Sequence, residues 1–372
     1  MSIFMLMAGG TGGHLFPAMA LAQELRRRGH VIHLMTDERV GSYGDNFPAR
    51  EVHIVPSATP SIRNPVKLVM AGGTIAWGTL VAWRMLGKAR PDAVVGFGGY
   101  PTVPPFLAAR LRGIKGILHD SNAIVGRANH FLARLADVLA LSFVDTARTE
   151  GFESKIAITG NPVRDRVNVA AATPYPPFEN GGPLRVLVFG GSQGARAFAD
   201  LVPPAVALLP ADLRARLRLG QQCRVEDMDR VTDAYRLAKV NVDLAPFFAD
   251  LPERMAASHL VISRSGASTV AELCVIGRPA ILIPLPGAID ADQKNNALVL
   301  DRAGGGWIAE QAALTPQVLA DRLQALLAAP PALARAAEVA KSLGRPDAVV
   351  LLADLAEKLA AGRTPGPRGE RP

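Results

Sequence analysis

The sequence predicts an α/β chain built from two Rossmann-like domains, each with a parallel sheet. Three observations lead there. Short apolar runs alternate with helical patterns, as they do when helices cover a parallel sheet. The pattern is also duplicated. IFMLMAGGTGGHLFPAMALAQEL, from Ile3, is echoed by LRVLVFGGSQGARAFADLVPPAV, from Leu184, and both read as strand, glycine-rich turn and helix. A second pair repeats it, AVVGFGGYPTVPPFLAARL from Ala93 and LVISRSGASTVAELCVIG from Leu260. Ligands of open parallel sheets bind beyond the carboxyl ends of the strands. Two such sheets therefore predict two half-sites facing across a cleft.

The bulk properties agree with this class. A length of 372 residues suits two domains, and 49% apolar with 20% charged residues excludes a disordered chain. Two cysteines, Cys223 and Cys274, exclude a disulfide framework and suit a reducing cytoplasm. Ile3–Met7 has no basic flank and runs straight into glycines, so it reads as a first strand and not as a signal peptide. The net charge of +8 is uneven: residues 1–164 hold 18 Lys/Arg and 11 Asp/Glu, a net of +7, whereas 165–362 hold 20 and 21. A basic first half suits a phosphate ligand or an acidic membrane surface. Aromatic–basic interleaving is missing, so no nucleic-acid partner is expected.

In chain order, the first domain is expected over 1–164. A Pro/Gly-rich linker, 168–183, opens the second domain, 165–338. A helical stretch at 339–361 is expected to pack back toward the first domain, and GRTPGPRGERP at 362–372 to be disordered. Within the first domain, Leu68 to Trp83 gives sixteen uncharged residues containing three glycines. That is short of the ~18–20 residues that span a bilayer. A helix apolar all round is usually buried. Two of the three tryptophans lie here, however, flanked by Arg63, Lys67, Arg84, Lys88 and Arg90, and tryptophan beside basic residues suits a membrane interface. Ile75, Trp77, Leu80 and Trp83 are the expected contacts.

The glycine turns carry the chemistry. Backbone N–H groups and the dipole at a helix N-terminus attract phosphate, and glycine lets the backbone come close. A dinucleotide-binding enzyme is one rival. Gly10-Thr11-Gly12-Gly13-His14-Leu15 offers G-x-G-x-x but puts Leu15 where a third glycine belongs; Asp37 stands ready for a ribose hydroxyl. A P-loop fails, because no Gly-Lys-Ser/Thr follows. A bare strand–helix turn explains any one loop more readily than all four. Asp290-Ala-Asp292 has the spacing to hold a divalent ion, but solvated loop acids explain it equally, and no further ligand cluster supports a metal.

GGTGGHLFPA, GFGGYPT, LHDSNAIVGRAN, TGNPVR, FGGSQGA, APFFADL, RSGASTVAEL and DADQKNNA occur in this order, and together they resemble the MurG family of bacterial glycosyltransferases over nearly the whole chain. The resemblance implies the GT-B architecture of two facing Rossmann-like domains. It also implies an inverting transfer of N-acetylglucosamine from UDP-N-acetylglucosamine to the MurNAc 4-hydroxyl of undecaprenyl-pyrophosphoryl-MurNAc-pentapeptide. The enzyme would work peripherally, on the anionic cytoplasmic face of the bacterial inner membrane, with no required cofactor or metal.

On this resemblance, Ser192 meets the donor diphosphate and Ala267, Ser268 and Thr269 open a second phosphate or sugar turn. Glu272 accepts from the ribose, Phe248 offers backbone groups to uracil, and Gln293 bonds the sugar. The plain alternatives are a helix cap for Ser192, a first-turn acid for Glu272, core packing for Phe248 and a loop amide for Gln293. Thr11, Gly12, Gly13, Asn122 and Arg164 would reach the donor from the first domain. Gly98, Gly99 and Tyr100 would take the lipid pyrophosphate. Two departures blur this pattern: Asp120-Ser121 stands where the family commonly has Glu-Gln, and Gly287 where relatives often carry histidine. His14 is the expected general base, since a helix N-terminus favours neutral imidazole; positioning the acceptor is its other role. A UDP-sugar epimerase of the same fold is the second functional class, a nicotinamide-dependent oxidoreductase the third and a membrane scaffold the last.

Overall fold

The computed structural model describes residues 1–10, 12–41, 47–60, 64–191, 196–288 and 290–363. The chain forms two units, one of Met1–Arg164 with the segment from Arg345 onward, the other of Asp165–Gly344.

In the first unit the apolar runs become β1 (Ile3–Met7), β2 (Val31–Thr36), β3 (Glu51–Ile54), β4 (Ala93–Gly96), β5 (Lys115–Asp120), β6 (Val138–Leu141) and β7 (Ile156–Ile158). They pair in parallel in the order β3-β2-β1-β4-β5-β6-β7. Phe4–Met7 and Ala93–Gly96 are buried throughout, as strands covered on both faces must be. One face packs the Gly12–Arg27 helix and the last helix, Ala348–Ala360, through Leu15, Leu21, Leu25, Leu352, Ala356 and Leu359. The other buries Met5, Met7 and Phe106 with the helices Pro65–Ala89, Val103–Leu111 and Arg127–Ala133.

The second unit repeats the scheme. Its strands are β8 (Leu184–Phe189), β9 (Leu217–Gln222), β10 (Asn241–Ala245), β11 (Leu260–Ser263), β12 (Ala280–Leu282) and β13 (Gly306–Ile308). They are parallel in the order β10-β9-β8-β11-β12-β13. Strand order therefore reverses between β1 and β4 in one unit and between β8 and β11 in the other. All four duplicated glycine turns leave these switch-point strands, where α/β sheets bind ligands.

Two boundaries differ from the sequence expectation. Residues 168–170 are not linker but complete the Asp165–Ala170 helix. The stretch from 339 is not one helix either. Pro330–Ser342 ends in the second unit and Ala348–Ala360 begins in the first, because Gly344-Arg345-Pro346 interrupts the helical pattern. A Cβ at Gly344 would lie 2.7 Å from the Cys274 carbonyl oxygen, so only glycine fits at that crossing. Arg28 and His30 anchor the returning helix: Arg28 bonds Asp354 at 2.6 Å and Glu357 at 2.8 Å, and His30 Nε2 lies 2.7 Å from Glu357. The expected disordered tail lies outside the described residues from 364 onward.

The uncharged stretch after residue 64 forms a helix of 25 residues, Pro65–Ala89, capped by Asn64, whose Oδ1 accepts from the Lys67 N–H at 3.0 Å. It is long and apolar enough to cross a membrane by length and composition, which the uncharged segment by itself was too short to suggest. Gly72, Gly73 and Gly78 stay within it. Ala71, Gly78, Ala82 and Leu86 face the unit's core. A Cβ on Gly78 would lie 2.0 Å from the Pro56 carbonyl oxygen and 3.1 Å from Pro104. Gly78→Ala should therefore destabilise the first unit by about 1–3 kcal/mol through overpacking, read as a lowered unfolding midpoint; an unchanged midpoint would show that this contact yields freely.

Candidate active site

In the first unit, the chain leaving β1 passes through Gly9 and Gly10 into the Gly12–Arg27 helix. Gly10 has no room for a side chain, since a Cβ would fall 2.4 Å from the Val40 nitrogen. Its N–H donates to Asp37 Oδ1 at 2.8 Å, and Arg39 holds the other carboxylate oxygen. Asp37 thus braces the turn, with each of its oxygens already holding a partner.

The turn after β4 stands beside this one. Gly98 and Gly99 both have positive φ, 88° and 76°, a conformation that favours glycine. Thr102 joins the two turns, its hydroxyl donating to the Gly98 carbonyl at 2.7 Å and reaching the Met7 carbonyl at 3.3 Å. His14 lies in the first turn of its helix with its ring against the second loop. A Cβ on Gly99 would be 3.3 Å from His14 Nε2, and one on Gly9 3.6 Å from Cδ2. Gly12, Gly13, His14, Gly98, Gly99 and Tyr100 therefore gather beyond the carboxyl ends of the neighbouring strands β1 and β4. Thr11 lies outside the described residues.

Asn122 is placed by Asp120, the last residue of β5. Asp120 Oδ1 accepts from the Asn122 N–H at 3.0 Å, and Oδ2 accepts from Gly126 N–H at 2.8 Å and from Asn129 Nδ2 at 3.0 Å. Burial raises the Asp120 carboxyl above its ordinary value, opposed by these donors and by His14. Asn129 in turn lies against Gly98, where a Cβ would meet its side chain at 3.1 Å. The shorter acid at this departure therefore forms a buried knot that holds the 120–129 loop against the β4 turn. Ser121 donates to Asn161 Oδ1 at 3.1 Å, an internal contact. Next to the knot, His119 is buried, and desolvation, opposed by its bond to the Gly160 carbonyl, pulls its pKa down to about 4. Arg164 sits with Cζ 5.2 Å from the centre of the Phe16 ring, on the helix that carries His14.

In the second unit the chain leaving β8 reaches Gly190 and Gly191, the latter at φ 86°; Ser192 lies outside the described residues. The Gly190 N–H donates to Gln222 Oε1 at 3.1 Å, and Gln222 Nε2 donates to the Pro246 carbonyl at 3.1 Å. One amide thereby ties the glycine turn to the segment carrying Phe248, whose buried ring lies under Arg254, 4.2 Å from Cζ. The side chain of Phe248 is core, which leaves its backbone for a ligand.

After β11, Gly266 leads into the Ala267–Ile276 helix, with Ala267, Ser268 and Thr269 in its first turn. Ser268 Oγ is buried with no hydrogen-bond partner among the described residues. Glu272 is the sixth helical residue and buried, so the first-turn-acid alternative does not apply. Gln293 is not a loose loop amide: its Oε1 accepts from Leu285 N–H at 2.9 Å, and its carbonyl accepts from Ser265 Oγ at 2.7 Å. Gly287 has positive φ, 75°, with open space where a Cβ would stand. Arg264, buried, holds the neighbouring loops through the Ile283 and Pro284 carbonyls and Gln311. Gln222, Arg264 and Asn129 were not anticipated, because nothing in their local sequence marks them. Asp290 and Asp292 have no third metal-type ligand among the described residues.

On the Pro65–Ala89 helix, Trp77, Leu80 and Trp83 are 55%, 40% and 41% exposed. Ile75 corrects the expectation. It is half-buried and packs on the core, because it shares the helix's inward side with Ala71, Gly78 and Ala82.

Comparison with known proteins adds three findings. The model of the glycosyltransferase family 28 N-terminal domain matches residues 4–140, and that of the family 28 C-terminal domain matches 185–352. The chain is 51% identical over 361 residues to a protein of Chelativorans sp. (strain BNC1), covering 97% of this chain and 96% of the relative. That relative is named UDP-N-acetylglucosamine--N-acetylmuramyl-(pentapeptide) pyrophosphoryl-undecaprenol N-acetylglucosamine transferase, as is one of Brucella abortus (strain S19), 50% identical with 97% and 95% covered. Among solved structures, Acinetobacter baumannii MurG superposes with a TM-score of 0.78 at 31% identity, over 96% of this chain and 100% of that one.

Proposed function

We infer the activity from one premise: the chain belongs to glycosyltransferase family 28. It is a UDP-N-acetylglucosamine-dependent N-acetylglucosaminyltransferase that acts on lipid I, undecaprenyl-pyrophosphoryl-MurNAc-pentapeptide, and makes lipid II for peptidoglycan. The observation that carries this is identity of 51% across 97% of the chain to a transferase of that name. An epimerase would share the fold but not this relationship.

The residue roles are our proposal. UDP binds on the second unit, its diphosphate taken by the Gly191 N–H, by Ser192 and by the Ala267–Ile276 helix start, where Ser268 Oγ has no hydrogen-bond partner among the described residues. Glu272 serves the ribose, the Phe248 backbone the uracil and Gln293 the sugar. On the first unit, Gly98, Gly99 and Tyr100 take the lipid pyrophosphate, and Gly12, Gly13, Asn122 and Arg164 are the residues assigned to sugar recognition. The acceptor's 4-hydroxyl oxygen attacks the anomeric carbon as its proton passes to His14. The bond from that carbon to the UDP oxygen breaks, and UDP keeps the electron pair. Fixed N–H groups at the leaving phosphate stabilise its growing charge without reorganisation, so the step as written needs no metal or cofactor. The decisive assay measures UDP release from UDP-N-acetylglucosamine with and without a short-chain lipid I analogue. Acceptor-dependent release is expected; release or sugar isomerisation that ignores the acceptor would overturn the transferase.

We also propose that the enzyme docks peripherally on the anionic cytoplasmic face of the inner membrane through Trp77, Leu80 and Trp83. Lys67, Arg84, Lys88 and Arg90 on or next to the same helix supply positive charge. Trp77→Glu with Leu80→Glu should weaken binding to anionic vesicles at least about tenfold, because burying one large apolar side chain contributes ~1.5–3 kcal/mol. An unchanged unfolding midpoint of the first unit controls for folding. Undiminished vesicle binding would end the docking role of this face.

A further inference from the structure

Away from the glycine turns, three ligand-type side chains meet at the outer edge of the first sheet. His33 lies in β2, and Glu51 and His53 lie in β3, the edge strand. Parallel pairing sets His33 against Glu51 and Met35 against His53. Alternation along a strand then places all three on one face of the sheet, the one on which Met5 and Met35 are buried. Glu51 Oε2 lies 3.8 Å from His33 Nδ1 and 3.5 Å from His53 Nε2. One ligand atom from each residue falls within 4.8 Å of the other two, and no other such group occurs among the described residues. The imidazoles are stacked, with centroids 5.8 Å apart and planes within 1°.

The two nitrogens that face Glu51 are otherwise unsatisfied. His33 is 6% exposed and His53 partly buried, and neither His33 Nδ1 nor His53 Nε2 has a hydrogen-bond partner among the described residues. Leaving a buried polar atom unpaired costs ~1–3 kcal/mol, and two at one point call for an explanation. Burial holds both histidines below their ordinary value, against the pull of Glu51, and Arg50 adds positive charge beside His33. In the tautomers that carry their protons on His33 Nε2 and His53 Nδ1, the two nitrogens nearest Glu51 each present a lone pair beside its carboxylate, a set of three ligand atoms converging on one point.

We propose that His33, Glu51 and His53 form a zinc-class divalent cation site that clamps the edge strand β3 to β2. Bonds of ~2.0–2.2 Å to two imidazoles and a carboxylate, with water as fourth ligand, are ordinary for zinc. They place ligand atoms about 3.3 Å apart on a tetrahedron, so the group must draw in from its present separations, which lie within 4.8 Å. Glu51 is exposed and free to move inward. Two nitrogens favour zinc, nickel or copper over magnesium and calcium, which take oxygen. The site lies in the body of β2 and β3, not at the switch point, so its role is to hold an edge strand that otherwise has one neighbour.

The test uses the full chain without a polyhistidine tag, stripped by a chelator and titrated with zinc against a fluorescent competitor. One tight equivalent is expected, with a raised unfolding midpoint in zinc and none in magnesium. Cobalt should give the visible absorption of a tetrahedral site. His33→Gln and His53→Gln should each weaken zinc beyond the ~10–100-fold that outer-shell partners contribute. If a histidine variant fails to fold, Glu51→Gln, on the exposed side, carries the same expectation. Absence of stoichiometric zinc, or unchanged zinc affinity in the folded variants, overturns the proposal.

Discussion

His14→Ala should lower turnover by ~10²–10⁴-fold, the usual contribution of a general base, while UDP-N-acetylglucosamine affinity stays close to that of the parent. The split follows from where the groups lie. His14 belongs to the first unit, with its ring packed against the Gly99 turn, whereas the turns proposed to hold UDP hang from β8 and β11 of the second. Single-turnover rates at saturating acceptor, with a separate UDP titration, measure the two quantities. His14→Gln divides base from positioning group, since the amide can still hydrogen-bond the acceptor but takes no proton. A glutamine variant that recovers most of the rate would leave His14 a positioning residue. Near-normal turnover in His14→Ala would remove both roles.

Arg278→Ala should be the most destabilising single change in the second unit. Arg278 is 1% exposed. Its guanidinium donates to the carbonyls of Ala256, Ile276, Gly277, Thr173 and Pro174. It therefore fastens the segment that follows the Asp165–Ala170 helix to the ends of two other helices. Burial lowers its pKa to about 10, still high enough to keep the charge at neutral pH. Truncation strands five acceptors and should cost about 3–5 kcal/mol. At ~2–4 °C per kcal/mol for a domain of 150–250 residues, that lowers the unit's melting point by roughly 6–20 °C. Arg278→Lys keeps the charge but loses the planar fork and should fall between. Calorimetry that resolves the second unit's transition checks this, and a loss of under about 1 kcal/mol would show that water replaces the donor without cost.

The two effects also mark what the sequence could and could not disclose. The four strand–turn–helix units were legible because their signals are local: an apolar run, glycines that a close turn requires, then a helical period. His14, Gly98 and Gly99 could be named in advance for the same reason. Arg278 could not, because its five partners come from three separate stretches, and an arginine before Pro279 looks like any loop cation. Gln222 and Asn129 were hidden likewise, being ordinary amides until folding sets them between two loops. Asp120 was seen only as a departure, yet three donors converge on it. Ile75 was misassigned because a helix apolar on every side does not reveal which face the domain will cover. The stretch from 339 hid its break because alanine-rich sequence on both sides of Gly344 keeps one helical period.

The last helix carries a consequence for how the protein is made. Leu352, Ala353, Leu355, Ala356 and Leu359 complete a core whose other residues lie mostly before position 141. At ~5–20 residues per second of synthesis, about 10–40 s separate translation of Arg164 from that of Leu359. Throughout that interval the N-terminal lobe must wait with one face of its sheet only partly covered, while the lobe encoded after it has every residue it needs once Gly344 is made. Order of emergence from the ribosome and order of completion are thus reversed, and the early lobe is the one that needs chaperone cover.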